Sequence, residues 1–307
     1  MSTVIVNYRH HEDTIRCVDS LQAGDYLNQQ IIVVDNTERG ASVDLLRAHL
    51  DPGVEVMESG GNNGFAAGTN VGIRRALDGD ADFVWLVNPD ATVSTDTLSA
   101  LLATAEQEPD AGIFGARILD DNDPPRILFN GGVVDATRKG ATLHQDAGRL
   151  DSSVRDDVVR DVDYVTGACF LVRRSVLRQI GLLPEEYFLY FEETDYCLRV
   201  RAAGWRTVIA PRARTWHFKR STGKYPASYY LYYMCRNRIH FSRRFFSAEV
   251  DESIADLQPS IKGWRGRVEE HAPQFLGNFD KLIELAFSDA REGRLGRRDD
   301  INELAFS

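Results

Sequence analysis

Residues 31–36 read Ile31-Ile32-Val33-Val34-Asp35-Asn36. Four β-branched residues in a row, with no polar alternation, match a strand buried on both faces of a parallel sheet. A strand with one wet face would alternate instead. The run ends in a short acid and a short amide, and ligands of open α/β sheets bind beyond the carboxyl ends of the strands. Working outward, residues 3–8, 54–57 and 83–87 repeat the strand pattern. Apolar residues at helical spacing fill 12–21, 43–50, 65–77 and 97–106 between and after them. This β-α alternation predicts a sheet covered by helices.

The rhythm changes after about residue 110. Residues 113–119 read as a strand, 127–144 as a glycine-rich hairpin and 151–163 as a charged surface loop. A strand over 164–172, helices over 174–180 and 192–203, and a final strand over 207–210 follow. From about residue 225 the chain reads as mainly helical.

Composition narrows the function. The chain has 307 residues, 43% of them hydrophobic, enough for a sizeable core and too many for wholesale disorder. With 46 Asp+Glu against 36 Lys+Arg the net charge is −10, which argues against a general nucleic-acid binder. Cys17, Cys169, Cys197 and Cys235 show neither metal nor disulfide spacing and read as reduced thiols of a cytoplasmic protein. No segment has the length of a membrane span or the pattern of a targeting signal. The charge is polarised along the chain, however. Residues 212–244 hold nine Lys/Arg and no acid, interleaved with aromatics, so the remainder carries 27 basic and 46 acidic groups. Such a strip suits a diphosphate or an anionic lipid surface, or simply balances an acidic body.

Several short patterns carry possible chemistry. Asp35 at a strand end suits a base or ribose, or a loop cap. Residues 60–72 form a glycine-rich turn leading into a helix, whose N-terminus favours an anion. Their spacing and position are not those of the dinucleotide fingerprint. Asn88-Pro89-Asp90 places two oxygen-bearing side chains at a strand end, as a hard cation needs. Glu192, Glu193 and Asp195 crowd a helix start, where the macrodipole favours them and where one would serve as a general base. On a helix Glu192 and Asp195 share a face, while Glu193 points about 100° away. His217, followed by Ser221 and Gly223, offers an imidazole ligand.

Taken in order, these motifs resemble the family 2 glycosyltransferases of the GT-A fold, closest to a rhamnosyltransferase-like branch. The resemblance rests on residues 3–8, 33–36, 62–72, 86–90, 166–168 and 188–205, then His217 with Ser221, and Arg236-Asn237. It reaches to about residue 245 and implies a division into 1–245 and a helical extension, 246–307. It implies a Rossmann-like mixed sheet flanked by helices, and inverting transfer of a sugar, rhamnose first, from a nucleotide-diphosphate donor. The dTDP- and UDP-sugars are the expected donors, and the acceptor is a hydroxyl of a glycan, a lipid-linked glycan or a small natural product. Val6, Tyr8, Asp35, Asn63, Gly64, Asn88, Asp90 and Arg236 would bind the nucleotide sugar. Asp90 and His217 would hold Mg²⁺ or Mn²⁺. Glu193 takes the base position, with Asp195 in reserve. Two departures stand out: Asn88 replaces the first acid of the D-x-D motif, and Glu193 replaces an aspartate. They leave room for a non-catalytic nucleotide-sugar-binding module of the same fold. A nucleotidyltransferase would need a glycine-rich basic loop after the first strand, where residues 7–12 have none. Peripheral membrane contact and a homodimer are both compatible with this reading.

Overall fold

The computed structural model describes residues 1–38, 42–155, 157–217 and 224–305. In chain order the elements are β1 (Ser2–Asn7), α1 (His11–Gln22), β2 (Gln30–Asp35), α2 (Ser42–His49), β3 (Glu55–Glu58), α3 (Phe65–Asp78) and β4 (Phe83–Val87). Next come β5 (Ala91–Val93), α4 (Thr97–Gln107), β6 (Ala111–Leu119), β7 (Ile127–Phe129), β8 (Gly132–Asp135), β9 (Ala141–His144) and β10 (Arg160–Asp161). The chain continues with β11 (Phe170–Arg173), α5 (Arg174–Ile180), α6 (Glu192–Ala202), β12 (Arg206–His217), α7 (Ser228–Phe246), α8 (Val250–His271) and α9 (Leu276–Glu292).

The chain forms two compact units. The first comprises residues 1–133, 143–184 and 193–219; the second comprises 134–142, 185–192 and 220–307. The first unit holds a ten-stranded sheet in the order β10-β12-β6-β11-β4-β1-β2-β3, with β5 beside β12 and β7 beside β6. Strands β3, β2, β1 and β4 run parallel, and β11 enters antiparallel between β4 and β6. The chain steps outward from β1 to β3 and then returns to the other side of β1 with β4. That reversal is the switch point at which open α/β sheets bind ligands. Residues of β2 are buried on both faces, as their unbroken apolar run requires. Helix α3 lies close on β1 because Gly72 has no side chain: a Cβ there would sit 2.3 Å from Val4 Cγ1.

Three expectations from sequence need correction. The strand expected over 164–172 begins only at Phe170. Thr166 turns the chain first, with its Oγ1 accepting from Ala168 N and its carbonyl from Cys169 N. The loop expected over 151–163 ends in strand β10, antiparallel to β12. The final strand does not stop at residue 210 but runs to His217, with its register broken between Ile209 and Arg214. Pro211 lies in that break and has no N–H to pair.

The second unit is built on α7, α8 and α9 around Leu231, Tyr232, Tyr233, Ile239, Phe279 and Leu282. Helix α8 opens with a capping box between Glu249 and Glu252.

Candidate active site

The carboxyl ends of β1 and β2 carry a closed polar network. Asn7 Nδ2 donates to Asp35 Oδ1 at 2.8 Å, and Thr14 Oγ1 donates to Asn7 Oδ1 at 2.9 Å. Thr37 gives the same Asp35 oxygen its hydroxyl at 2.7 Å and its backbone N–H at 3.3 Å, and Ser42 Oγ donates at 3.4 Å. Among the described residues all hydrogen bonds to the Asp35 side chain fall on Oδ1, so Oδ2 keeps its acceptor capacity. Tyr8, half-buried, lies under the Arg9 guanidinium. Val6 is buried against α3, where a Cβ on Gly68 would meet its Cγ1 at 2.9 Å.

Asn36 shapes the glycine-rich turn. Its Nδ2 donates to Gly64 O at 3.0 Å, and its Oδ1 accepts from Ser59 Oγ at 2.7 Å. Gly64 caps α3 with φ 96°, a left-handed conformation that suits glycine. Asn63 beside it is exposed and donates to Gly61 O at 3.3 Å.

At the end of β4, Asp90 Oδ1 lies 2.9 Å from His217 Nε2, and Asn88 Nδ2 lies 3.4 Å from the same nitrogen. Strand pairing makes this meeting: His217 of β12 is in register with Ala91 of β5, directly after Asp90. Burial alone would raise the Asp90 carboxyl. The hydrogen bond and charge of His217, with the charge of His10, outweigh it and hold that carboxyl below its usual value. Cys17 Sγ donates to Asn88 O at 3.4 Å and fixes the turn from below.

One further contact ties this cluster to a carboxylate. Gly167 N donates to Glu193 Oε1 at 3.0 Å. A Cβ on Gly167 would fall 3.2 Å from Asn88 Oδ1 and 2.7 Å from Phe65 Cζ. Glu193, Gly167, Asn88, His217 and Asp90 therefore form a continuous chain of neighbours within the first unit. Glu193 is half-buried. Asp195 is fully buried and holds Arg199 Nε at 2.9 Å, while Arg199 Nη2 donates to Leu182 O at 3.1 Å. Asp195 is thus ion-paired with Arg199, and Glu193 is joined to the cluster through Gly167.

Arg236 does not match its expectation. It is 1% exposed and lies in the second unit, where its guanidinium donates to Tyr187 O at 2.9 Å and Gly296 O at 2.7 Å. Tyr232 and Tyr233 pack against its planar face. A guanidinium so enclosed has no face for a diphosphate. The basic strip is only partly outward-facing: Arg212, Lys224 and Arg243 are exposed, and Lys219 and Arg220 lie outside the described residues. Arg214 pairs with Asp151, Arg238 with Asp256 and Arg244 with Glu186, while Tyr232, Tyr233 and Phe241 are buried. Ser221 and Gly223 lie outside the described residues.

The roles of Asn7, Asn36 and Gly167 were not singled out from sequence. Asn7 carried a signal all the same: an amide closing an apolar strand needs a buried partner.

The donor set can be tested against a divalent cation. One carboxylate, one imidazole and one amide converge, and among the described residues no group of three or more His, Cys, Asp or Glu is placed to hold a metal ion. Two or three protein groups completed by phosphate oxygens are what Mg²⁺ and Mn²⁺ commonly take. The residues fit such an ion on the condition that a diphosphate completes the shell.

A family model described as glycosyltransferase-like family 2 matches residues 1–231. The chain is 28% identical over 288 residues to the low-salt glycan biosynthesis hexosyltransferase of Haloferax volcanii, covering 90% of this chain and 89% of that protein. It is 33% identical over 199 residues to the N-acetylglucosaminyl-diphospho-decaprenol L-rhamnosyltransferase of Mycobacterium tuberculosis, covering 58% of this chain and 63% of that protein. The fold resembles that of a mannosyltransferase of Pyrobaculum calidifontis solved with GDP-mannose and Mn²⁺. There the TM-score is 0.56 at 11% identity, over 95% of this chain and 86% of the other. The sheet is thus that of the GT-A fold. The glycine-rich turn, Asn88-Pro89-Asp90, Glu193 and His217 all fall inside the matched residues, and the chain belongs to glycosyltransferase family 2.

Proposed function

We propose that the protein transfers a sugar, with inversion at the anomeric carbon, from a nucleotide-diphosphate donor to an acceptor hydroxyl, and that Glu193 is the general base. The carrying observation is the contact of Glu193 Oε1 with Gly167 N, beside Asn88. It holds a carboxylate near the metal-type cluster without placing it on the cluster. Inverting substitution needs a base on the incoming hydroxyl and charge stabilisation on the leaving group at the opposite side. A carboxylate offers about four lone-pair sites, and the Gly167 N–H takes one of them.

Asp35 Oδ2 accepts from the base or ribose, while Asn7, Thr37 and Ser42 fix its other oxygen. The backbone of Val6 and the ring of Tyr8 flank the nucleoside, and Asn63 with Gly64 lies beside it. Asp90 and His217, with Asn88 as a neutral third group, hold Mg²⁺ or Mn²⁺ when it is bound. The cation supplies charge neutralisation for the departing nucleoside diphosphate.

We assign rhamnose as the first donor sugar because a relative is named an L-rhamnosyltransferase. That relative's name also supports a lipid-diphosphate acceptor. No helix among the described residues is long and apolar enough to cross a membrane. The GT-A domain ends near residue 245 in this reading, and 246–307 is its helical extension.

A panel of dTDP-, UDP- and GDP-sugars, with and without Mn²⁺, tests the reading by thermal shift and nucleoside diphosphate release. A ligand at about 100 times its Kd stabilises the fold by about 2.7 kcal/mol. dTDP-rhamnose is expected to give the largest shift and to release dTDP. Binding without any release would support the non-catalytic module instead.

A further inference from the structure

Residues 181–183 follow α5 and belong to no helix or strand. Buried backbone groups outside regular structure still need partners. Here the side chains of two helices supply them. Tyr196 of α6 donates its hydroxyl to Gly181 O at 3.0 Å, and Arg199 Nη2 of α6 donates to Leu182 O at 3.1 Å. Asn70 of α3 takes both backbone groups of Leu183. Its Nδ2 donates to Leu183 O at 2.9 Å, and its Oδ1 accepts from Leu183 N at 3.1 Å. A side-chain amide has the donor and the acceptor of a peptide group, so Asn70 meets Leu183 as a neighbouring strand would. Asn70, Leu183 and Tyr196 are all buried. Asp195 Oδ1 accepts from Arg199 Nε at 2.9 Å and so aims the guanidinium at this segment.

The segment therefore joins α3 to α6, and each helix carries part of the site. Helix α3 starts at Phe65, directly after the glycine-rich turn. Glu193 lies in the first turn of α6, three residues before Tyr196, and residues at that spacing are neighbours on a helix surface. Both helix starts also border Gly167: its N–H donates to Glu193 Oε1 at 3.0 Å, and a Cβ there would fall 2.7 Å from Phe65 Cζ. All of these residues lie in the first unit. Helix α6 is thus gripped beside Glu193 by a segment that α3 itself fixes. Without Asn70 the segment is released from α3, and with it the depth and rotation of α6 that bring Glu193 to Gly167. The seat of α3 on β1 is a separate matter, set by Gly68 and Gly72, where a Cβ would meet Val6 at 2.9 Å and Val4 at 2.3 Å.

We propose that Asn70 is a positioning residue for the base, acting on α6 through residues 181–183, Tyr196 and Arg199. This deepens the proposed role of Glu193 and rests on it. It also gives Asp195, which orients Arg199, a part in the reaction other than taking the proton.

The test uses the full chain with the nucleotide sugar that wild type turns over fastest among dTDP-rhamnose, UDP-glucose and GDP-mannose. Asn70→Ala and Tyr196→Phe are each made in wild type and in a Glu193→Gln background. A misplacement of about 1 Å costs as much as about 100-fold. Asn70→Ala is therefore expected to lower kcat by roughly 10- to 100-fold, with nucleotide Kd within about threefold of wild type because α3 keeps its seat. In the Glu193→Gln background there is no base left to misplace, so the same change is expected to lower the residual kcat by no more than about threefold. A residue that merely supports the fold would lower kcat by the same factor in both backgrounds. Tyr196→Phe removes one of the grips on the segment and is expected to show the same pattern more weakly. If Asn70→Ala fails to fold, Tyr196→Phe decides alone. An unchanged kcat in the variant that folds, equal losses in the two backgrounds, or a loss of nucleotide affinity that matches the loss of kcat overturns the positioning role. A crippled Glu193→Gln beside a fully active Asn70→Ala sinks the positioning role and spares the base. A fully active Glu193→Gln sinks both.

Discussion

Glu193 and Asp195 are two residues apart, yet their surroundings differ in kind. Asp195 is fully buried with a guanidinium at 2.9 Å; Glu193 is half-buried and accepts from Gly167 N at 3.0 Å. A base must reach solvent-borne substrate and release its proton, so burial in an ion pair disqualifies a carboxylate for that task. Removing one partner of a buried pair leaves the other charge uncompensated. Arg199 is 25% exposed and keeps carbonyl partners, which softens the loss. Asp195→Asn is therefore expected to destabilise the fold by up to about 3 kcal/mol in urea denaturation, with nucleotide affinity retained in the folded fraction. Loss of turnover at unchanged stability would instead mark Asp195 as the base.

Among the elements, α3 carries the glycine-rich turn and is set by how closely it approaches β1. A methyl added at Gly72 would lie 2.3 Å from Val4 Cγ1 and 3.2 Å from Val34 Cγ2. Overpacking of this sort costs about 1–3 kcal/mol. Gly72→Ala is thus expected to lower the denaturation midpoint, whereas an unchanged midpoint would mean that α3 can shift freely. The parallel half of the sheet was legible in sequence because its strands are uninterrupted apolar runs and its helices keep one period. The later part was less so. The turn at Thr166 was hidden in an apolar stretch, since side-chain capping of a turn overrides strand propensity. The meeting of Asp90 with His217 depends on the pairing of β5 with β12, which no local pattern announces. The site's acids and glycines could be read from their order. Asn7, Asn36 and Gly167 could not, because their roles follow from contacts across distant segments. Arg236 misled for the opposite reason: a cation near aromatics looks the same in sequence whether it faces solvent or a core.

For the whole molecule, the net charge of −10 is spread unevenly along the chain. Among the described basic residues of the 212–244 stretch, Arg214, Arg238 and Arg244 are ion-paired and Arg236 is enclosed, while Arg212, Lys224 and Arg243 are exposed. Stability against acid depends on another residue of that stretch. His240 lies against the Tyr187 ring, and burial pushes its pKa down; Glu186 opposes this, while Arg244, Arg236 and Arg243 add to it. The folded chain then binds a proton less readily than the unfolded one. Stability is full above the ordinary imidazole value of about 6.5 and falls as pH drops from there toward the lower folded value. His240→Phe is expected to flatten that limb of a plot of Tm against pH; an identical slope in the variant would contradict it.

The central claim is that Glu193 takes the acceptor's proton. Its most direct test is the kcat of sugar transfer by Glu193→Gln against wild type, at saturating donor. The amide keeps the size and loses the basicity, so a fall of about 10²- to 10⁴-fold with donor KM nearly unchanged is expected. A kcat within about threefold of wild type would contradict the account.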